Sequence, residues 1–325
     1  MRAYVVNEPG APFQSVELPR PVPTPNQVLV RVLASGVNPL DAKIRAGKAA
    51  HARQPLPAVL GLDMAGIVEE VGEAVSGFRP GDEVYGMVGG VGGHQGTLAE
   101  FVSVEADLLA HKPKALSMRE AAALPLITIT AWEGLIDRAR VHAGQKVLIH
   151  AGAGGVGHIA VQLAKASGAE VFATVSPSKK GIVDGFGATA IDYQALSPEQ
   201  YVDLHTQGNG FDIVYDTVGG ATLDASFIAV KRYIGHVVSC LGWGTHALAP
   251  LSFRGATYSG VFTLMPLLTG AGQKHHGEIL THAAELADSG SLRPLLNEQR
   301  FAADQIEAAH NLVESGAVGK VVVEF

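Results

Sequence analysis

The segment 151–157 places glycine at 152, 154 and 157, a Gly-x-Gly-x-x-Gly spacing. The spacing alone is weak evidence; its setting is what gives it meaning. It follows directly on the apolar run Val147-Leu148-Ile149 and opens an amphipathic stretch carrying Ile159, Ala160, Leu163 and Ala164. A strand, a glycine turn and a helix in that order form a cradle for a dinucleotide. Gly152 permits the tight turn, Gly154 lets the backbone approach a diphosphate, and Gly157 lets the helix pack close to the strand. Gly155 and Val156 complete the loop, whose free N–H groups and helix dipole favour an anion.

The residues at the end of the next strand bear on which dinucleotide is held. An NAD site places a carboxylate there to bond the adenosine ribose. The stretch 173–180 reads Ala-Thr-Val-Ser-Pro-Ser-Lys-Lys, without a carboxylate. Hydroxyl and ammonium groups receive a 2′-phosphate, which a carboxylate would repel. Ser176, Ser178, Lys179 and Lys180 therefore point to NADP(H), with Ser176 and Lys180 as the expected phosphate contacts. Tyr193, after the following strand, is expected against the adenine ribose. The alternative for these lysines is an ordinary solvated helix start.

These groups need elements to position them. Ahead of residue 117 the chain is rich in turns and β-type runs. Pro19, Pro21, Pro23 and Pro25 interrupt it, and the alternation of Val28, Val30 and Val32 predicts a strand over 27–32. Further strands are expected at 65–71, 83–88 and 99–104, with Pro80-Gly81-Asp82 as a turn and 89–96 as a glycine-rich loop. This half reads as a β-rich, partly open barrel. Ser117 with Glu120 forms a capping box that opens an alanine-rich helix. Thereafter strands (146–150, 170–175, from 190, 211–216, 235–239) alternate with helices (157–167, 179–186, 221–230), as in βαβ units with a parallel sheet. Helices at 277–288 and 304–315 and strands at 295–301 and 320–325 close the chain.

Composition narrows the function classes. A chain of 325 residues allows about two domains. With 47% hydrophobic and 17% charged residues it can bury a full core. A net charge of −7 argues against a nucleic-acid binder, which needs a basic face. Cys240 is the only cysteine, so no internal disulfide and no cysteine-rich metal site can form. It reads most simply as a small buried hydrophobe. No apolar leader opens the chain, and no apolar run approaches the roughly 20 residues of a membrane span. The expectation is a soluble, cytoplasmic protein without membrane or nucleic-acid partners.

With these residues in view, the chain resembles the medium-chain dehydrogenase/reductase family over essentially its whole length. The resemblance rests on Gly36-Val37-Asn38-Pro39-Leu40-Asp41, Gly61-Leu62-Asp63-Met64-Ala65-Gly66, Pro80-Gly81-Asp82-Glu83-Val84, Thr130-Ala131-Trp132, the loop 151–157 and Gly319-Lys320-Val321-Val322-Val323. It implies an α/β protein with a GroES-like β-rich catalytic domain, 1–122 completed by 264–325, and a doubly wound Rossmann domain, 123–263. Zinc-dependent members carry Cys where this chain has Asn38 and His where it has Leu62, and their structural zinc needs four cysteines. The zinc-independent quinone oxidoreductase branch is therefore the implied relative.

That branch implies Asn38 and Thr130 beside the nicotinamide and its ribose, Phe262 and Thr263 in the segment that bonds the carboxamide, and Gly242 with 216–219 along the dinucleotide. Many members carry Tyr two residues after the Asp, where this chain has Lys43. Lys43 is then a candidate proton donor, and an exposed helix-start lysine fits it equally. His94, on its loop, is a candidate substrate contact, and Trp243 either packs or edges the substrate cleft. His275 and His276 are helix neighbours about 100° apart and unsuited to one metal.

The implied reaction moves a hydride from NADPH to a small-molecule acceptor, a quinone or an α,β-unsaturated carbonyl. The alternatives are an enoyl-thioester reductase and an NADPH-binding protein without turnover. The Tyr-x-x-x-Lys of short-chain dehydrogenases is not found. A homodimer through the sheet-edge strand near 256–263 is also implied.

Overall fold

The apolar runs Lys146–Ile149, Glu170–Val175 and Ile213–Asp216 are buried along almost their whole length. Strands covered on both faces read this way, because neither face meets water. The computed structural model describes residues 1–325 and shows these runs as the centre of a six-stranded parallel sheet. From edge to edge the order is Thr189–Asp192, Glu170–Val175, Lys146–Ile149, Ile213–Asp216, His236–Ser239 and Thr257–Gly260. The chain winds outward from Lys146–Ile149 in one direction and then from Ile213–Asp216 in the other. The switch point lies between those two strands, and in such sheets ligands bind at the strands' carboxyl ends there.

On one face of this sheet Leu148, Phe172, Phe211, Val214, Leu223 and Phe227 form a continuous core. The helix Gly155–Ala166 begins two residues earlier than the glycine pattern foretold, at Gly155 itself. The helix Pro198–Thr206 was not among the expected elements. Its signals are nevertheless local: Ser197 accepts from the Gln200 N–H, Gln200 reaches back to the Ser197 N–H at 2.8 Å, and Pro198 sits in the first turn.

The chain divides into two compact units, 127–263 and a second made of 1–126 with 264–325. The second is built around the long strand Gln27–Val37, which pairs antiparallel with Asp63–Val71, Phe101–Glu105 and Val321–Glu324. This strand runs on to Val37, past the alternation of Val28, Val30 and Val32, because its second half gains partners on both sides. Gly36 is required there, since a Cβ would overlap the Ala122 carbonyl. The helix Gln273–Asp288 is tied to this unit by the buried Tyr85 hydroxyl, which donates to the Leu280 carbonyl at 2.5 Å.

The Ser117–Glu120 capping box is present. The alanine-rich helix opened by Ser117 stops at Ala122 and restarts as Pro125–Trp132. Pro125 has no N–H to continue the first helix and disfavours helical backbone before it. The strand expected at 295–301 shrinks to Phe301–Ala302. No helix is long and apolar enough to cross a membrane.

Candidate functional site

Thr174, at the end of its strand, holds the glycine loop in place. Its Oγ1 accepts from the Ala151 N–H at 3.2 Å and pairs with His150 Nδ1 at 3.1 Å, while its carbonyl accepts from the Gly152 N–H at 3.1 Å. These bonds hold Ala151 at a φ of 53°, a left-handed conformation that a non-glycine residue adopts only under constraint. A Cβ on Gly152 would overlap that of Ala173, and one on Gly157 would overlap the Ala151 carbonyl. The loop thus packs as its glycines require, with Gly154 as the N-cap of the helix and Gly155 and Val156 in its first turn.

Above this loop lies a cavity of about 490 Å³. Its walls include Ala151, Ala153 and Gly154 from the loop, Ser176 and Lys179 beyond the second strand, and Tyr193 beyond the third. The sequence placed Gly154, Ser176 and Tyr193 here, and the structure brings them together. The Lys180 ammonium pairs with Asp184 at 2.6 Å, one helical turn on, and does not line the cavity. The short turn Pro177–Lys179 ahead of the helix Lys180–Gly185 sets the phase so that Lys179 faces the cavity.

Sequence reasoning passed over His150, Tyr201 and Thr222, which also line the cavity. His150 is buried and its Nε2 has no hydrogen-bond partner. Burial lowers its pKa to about 4, against the opposing pull of the Asp216 carboxylate, so the ring is neutral near pH 7. Asp216 is itself fully buried and shapes the loop after its strand: it accepts from the Val218 and Gly219 N–H groups at 3.0 and 2.9 Å and from the Ser239 hydroxyl at 2.7 Å.

The remaining expected contacts of this unit lie away from the cavity walls. Gly242 lies directly under the Tyr258 hydroxyl, leaving no room for a Cβ. Phe262 meets the edge of Trp243 at a centroid distance of 6.0 Å, and Thr263 is buried. Thr130 is buried near the end of the helix Pro125–Trp132, and its carbonyl accepts from the Tyr215 hydroxyl at 2.6 Å. Beyond it the helix widens into the π-helical stretch Glu133–Arg138, a form frequent at functional sites. Gly134 within it lies against the Tyr215 ring, where a Cβ would come within 2.6 Å. Burial raises the Cys240 thiol to about 12, so no reactive thiolate forms there.

In the other unit, Asn38 is fully buried and both ends of its amide are engaged. Nδ2 donates to Asp63 Oδ2 at 2.9 Å, and Oδ1 accepts from the Lys320 ammonium, which also donates to the Val37 carbonyl at 3.3 Å. The Asn38 N–H donates to Asp41 Oδ2 at 2.8 Å, and Asp63 Oδ1 accepts from the Leu126 N–H at 2.9 Å. Asp41 Oδ1 is buried without a partner. Burial raises Asp41 to about 7, aided by the Asp63 charge, and raises Asp63 to about 6 against the pull of Lys320. Burial also lowers Lys320, opposed by both carboxylates.

The expected contact of the Asn38 side chain with the nicotinamide has to be weighed against these bonds. The amide is turned into its own unit, where Asp63 and Lys320 occupy it. Lys43 stands exposed on the helix Pro39–Arg45. His94 is exposed, with Nε2 bonded to the Leu267 carbonyl at 3.1 Å. Leu62 is a buried alkyl group, an ammonium already occupies the Asn38 oxygen, and no three His, Cys, Asp or Glu side chains cluster as a ligand set.

Residues 24–114 match the family model described as the alcohol dehydrogenase GroES-like domain, and residues 186–323 the one described as zinc-binding dehydrogenase. The chloroplastic NADPH-dependent alkenal/one oxidoreductase of Arabidopsis thaliana is 37% identical, over 92% of this chain and 72% of its own length. The crystal structure of an alcohol dehydrogenase superfamily protein from Novosphingobium aromaticivorans matches with a TM-score of 0.98 at 56% identity, covering 100% of this chain and 99% of that one. The Escherichia coli quinone oxidoreductase, solved with NADPH, matches with a TM-score of 0.86 at 27% identity over 100% of both chains.

Proposed function

Because the chain belongs to the medium-chain dehydrogenase/reductase family, in its quinone oxidoreductase-like branch, we propose that it is a zinc-independent oxidoreductase that passes a hydride from NADPH to a quinone or an α,β-unsaturated carbonyl. The observation that carries this reading is the cavity over the glycine loop. Ser176 and Lys179 stand on its walls, and no carboxylate does. An anion at the helix start and a second phosphate beside a lysine are what such walls hold.

When bound, NADPH supplies the hydride. The protein's part is to hold and orient. Ala153 and Gly154 receive the diphosphate, Ser176 and Lys179 the 2′-phosphate, and Tyr193 the ribose. Phe262, Thr263, Gly242 and Thr130 serve the nicotinamide half. Asn38 acts as a positioning residue, fixing the turn between the strand Gln27–Val37 and the helix Pro39–Arg45. An acceptor that delocalises the incoming charge needs no metal to stabilise it, which suits Asn38 and Leu62 at the positions where zinc-dependent members carry ligands. The proton that completes the reduction comes from solvent or from Lys43. The chain acts as a homodimer, joined through the edge strand Thr257–Gly260.

The test is NADPH oxidation, followed by absorbance in chelator-treated buffer, against a panel of quinones and enones with NADH as control. Turnover that survives chelation and prefers NADPH is the expected result. Binding without turnover would leave an NADPH-binding protein. Activity lost to chelator and restored by zinc would overturn the reading of Asn38 and Leu62.

A further inference from the structure

The elements that supply the cavity walls suggest how one half of a dinucleotide would lie. Ala151, Ala153 and Gly154 stand at the phosphate end, and Ser176 and Lys179 at the ribose. A base attached to that ribose has the mostly apolar part of the wall to occupy. Leu196, Pro198 and Tyr201 form it together with Ala221, Thr222 and Ala225. These groups are mostly apolar and suit the faces of a flat ring.

Tyr201 differs from its neighbours. It is only 2% exposed, and its ring packs on Phe211 at a centroid distance of 6.3 Å inside the core. Its hydroxyl makes no hydrogen bond within the chain, although the residue lines the cavity. The oxygen is not sealed in the core, so it is open to the cavity and free to bond the cavity's occupant in place of water. Burial, reinforced by the Glu199 charge, raises this phenol to about 12, so it stays neutral and can both donate and accept.

Resting on the reading of this cavity as the NADPH site, we propose that Tyr201 recognises the base: its phenolic oxygen accepts a hydrogen bond from the 6-amino group of adenine. The hydroxyl thereby makes the site selective for an adenine nucleotide over one whose base offers no donor at that position. Tyr201 contributes no atom to the chemistry; it fixes the adenosine half.

The experiment is a cycle of one substitution and one ligand change, read by calorimetry on the full chain. The ligands are adenosine 2′,5′-bisphosphate and the same bisphosphate of purine riboside, which lacks the amino group. Loss of the amino group is expected to weaken binding to the unaltered chain by about 3- to 10-fold, the range of one neutral hydrogen bond. In Tyr201→Phe the two ligands bind alike. The unfolding midpoint of the ligand-free variant stays put, because the hydroxyl has no partner to lose. An equal penalty for the missing amino group in both proteins overturns the Tyr201 assignment alone, as does an unaltered chain indifferent to that group. Failure of the unaltered chain to bind either bisphosphate overturns the cofactor reading and this proposal with it.

Discussion

Asn38 donates to Asp63 at 2.9 Å while its amide oxygen accepts from the Lys320 ammonium, so one buried amide joins a carboxylate to a cation. Two carboxylates, Asp41 and Asp63, share this single ammonium. Lys320 makes no direct ion pair with either carboxylate, but removing a buried counter-charge leaves charge less compensated, at a cost of up to about 3–5 kcal/mol. Lys320→Met is expected to destabilise the chain by that order in a denaturant titration. The deficit is expected to shrink on acidification, since protonated carboxyl groups need no counter-charge. A deficit independent of pH would mean that the ammonium only fills space.

Asp41 gives a second, oppositely signed handle. Its folded pKa, raised by burial to about 7, lies above the ordinary 3.8. Between those values the folded chain holds a proton that the unfolded chain has released. The stability contribution is therefore full below about pH 4 and declines as pH rises toward 7. Asp41→Asn keeps an oxygen for the Asn38 N–H and removes the titration. Measured near pH 5 and near pH 8, its stability is expected to fall less with rising pH than that of the unaltered chain. Equal slopes would show that Asp41 is already ionised in the folded protein.

The two adjacent lysines are expected to behave differently. Lys179 lines the cavity, whereas Lys180 is held by Asp184. Lys179→Gln is expected to weaken NADPH binding about 10-fold, the scale of one charge-assisted hydrogen bond at a partly exposed site, and to leave NADH binding alone. Lys180→Gln is expected to change neither by more than about 2-fold. Fluorescence titration with both cofactors reads this out, and the reverse ranking would restore Lys180 as the phosphate contact.

Gly157→Ala tests the loop itself. A Cβ there overlaps the Ala151 carbonyl, and the backbone rather than a flexible side chain must yield. Overpacking of this kind costs about 1–3 kcal/mol. The helix start is expected to shift and cofactor affinity to fall more than 10-fold, of order 1.4 kcal/mol. A variant that melts earlier but binds NADPH normally would separate the packing role from the binding role.

What was legible in the chain was what neighbours in sequence decide. The strand, glycine turn and helix at 146–166 read correctly because each signal lies within a few residues of the next. The Asn38 network did not, because its cation stands 282 residues away and only the pairing of Val321–Glu324 with Gln27–Val37 delivers it. The pairing of Lys180 with Asp184, four residues on, was legible at helical spacing and was not read. Tyr201 went unseen because the capping box at Ser197, which sets its helix, was passed over. His150 shows the limit from the other side: its place at a strand end was clear, but its unpaired nitrogen is a property of the packed loop.

The outermost strand of the parallel sheet, Thr257–Gly260, has a neighbour on one side only, and three of its four residues are exposed. Tyr233 and Phe253, among the most exposed aromatic rings of the chain, belong to the same unit. An uncovered edge is a template for another strand, and nothing in the ladder chemistry says where the sheet must end. If a second copy supplies that strand, dilution becomes a denaturant: the melting temperature of this protein is then a function of how much of it is in the tube.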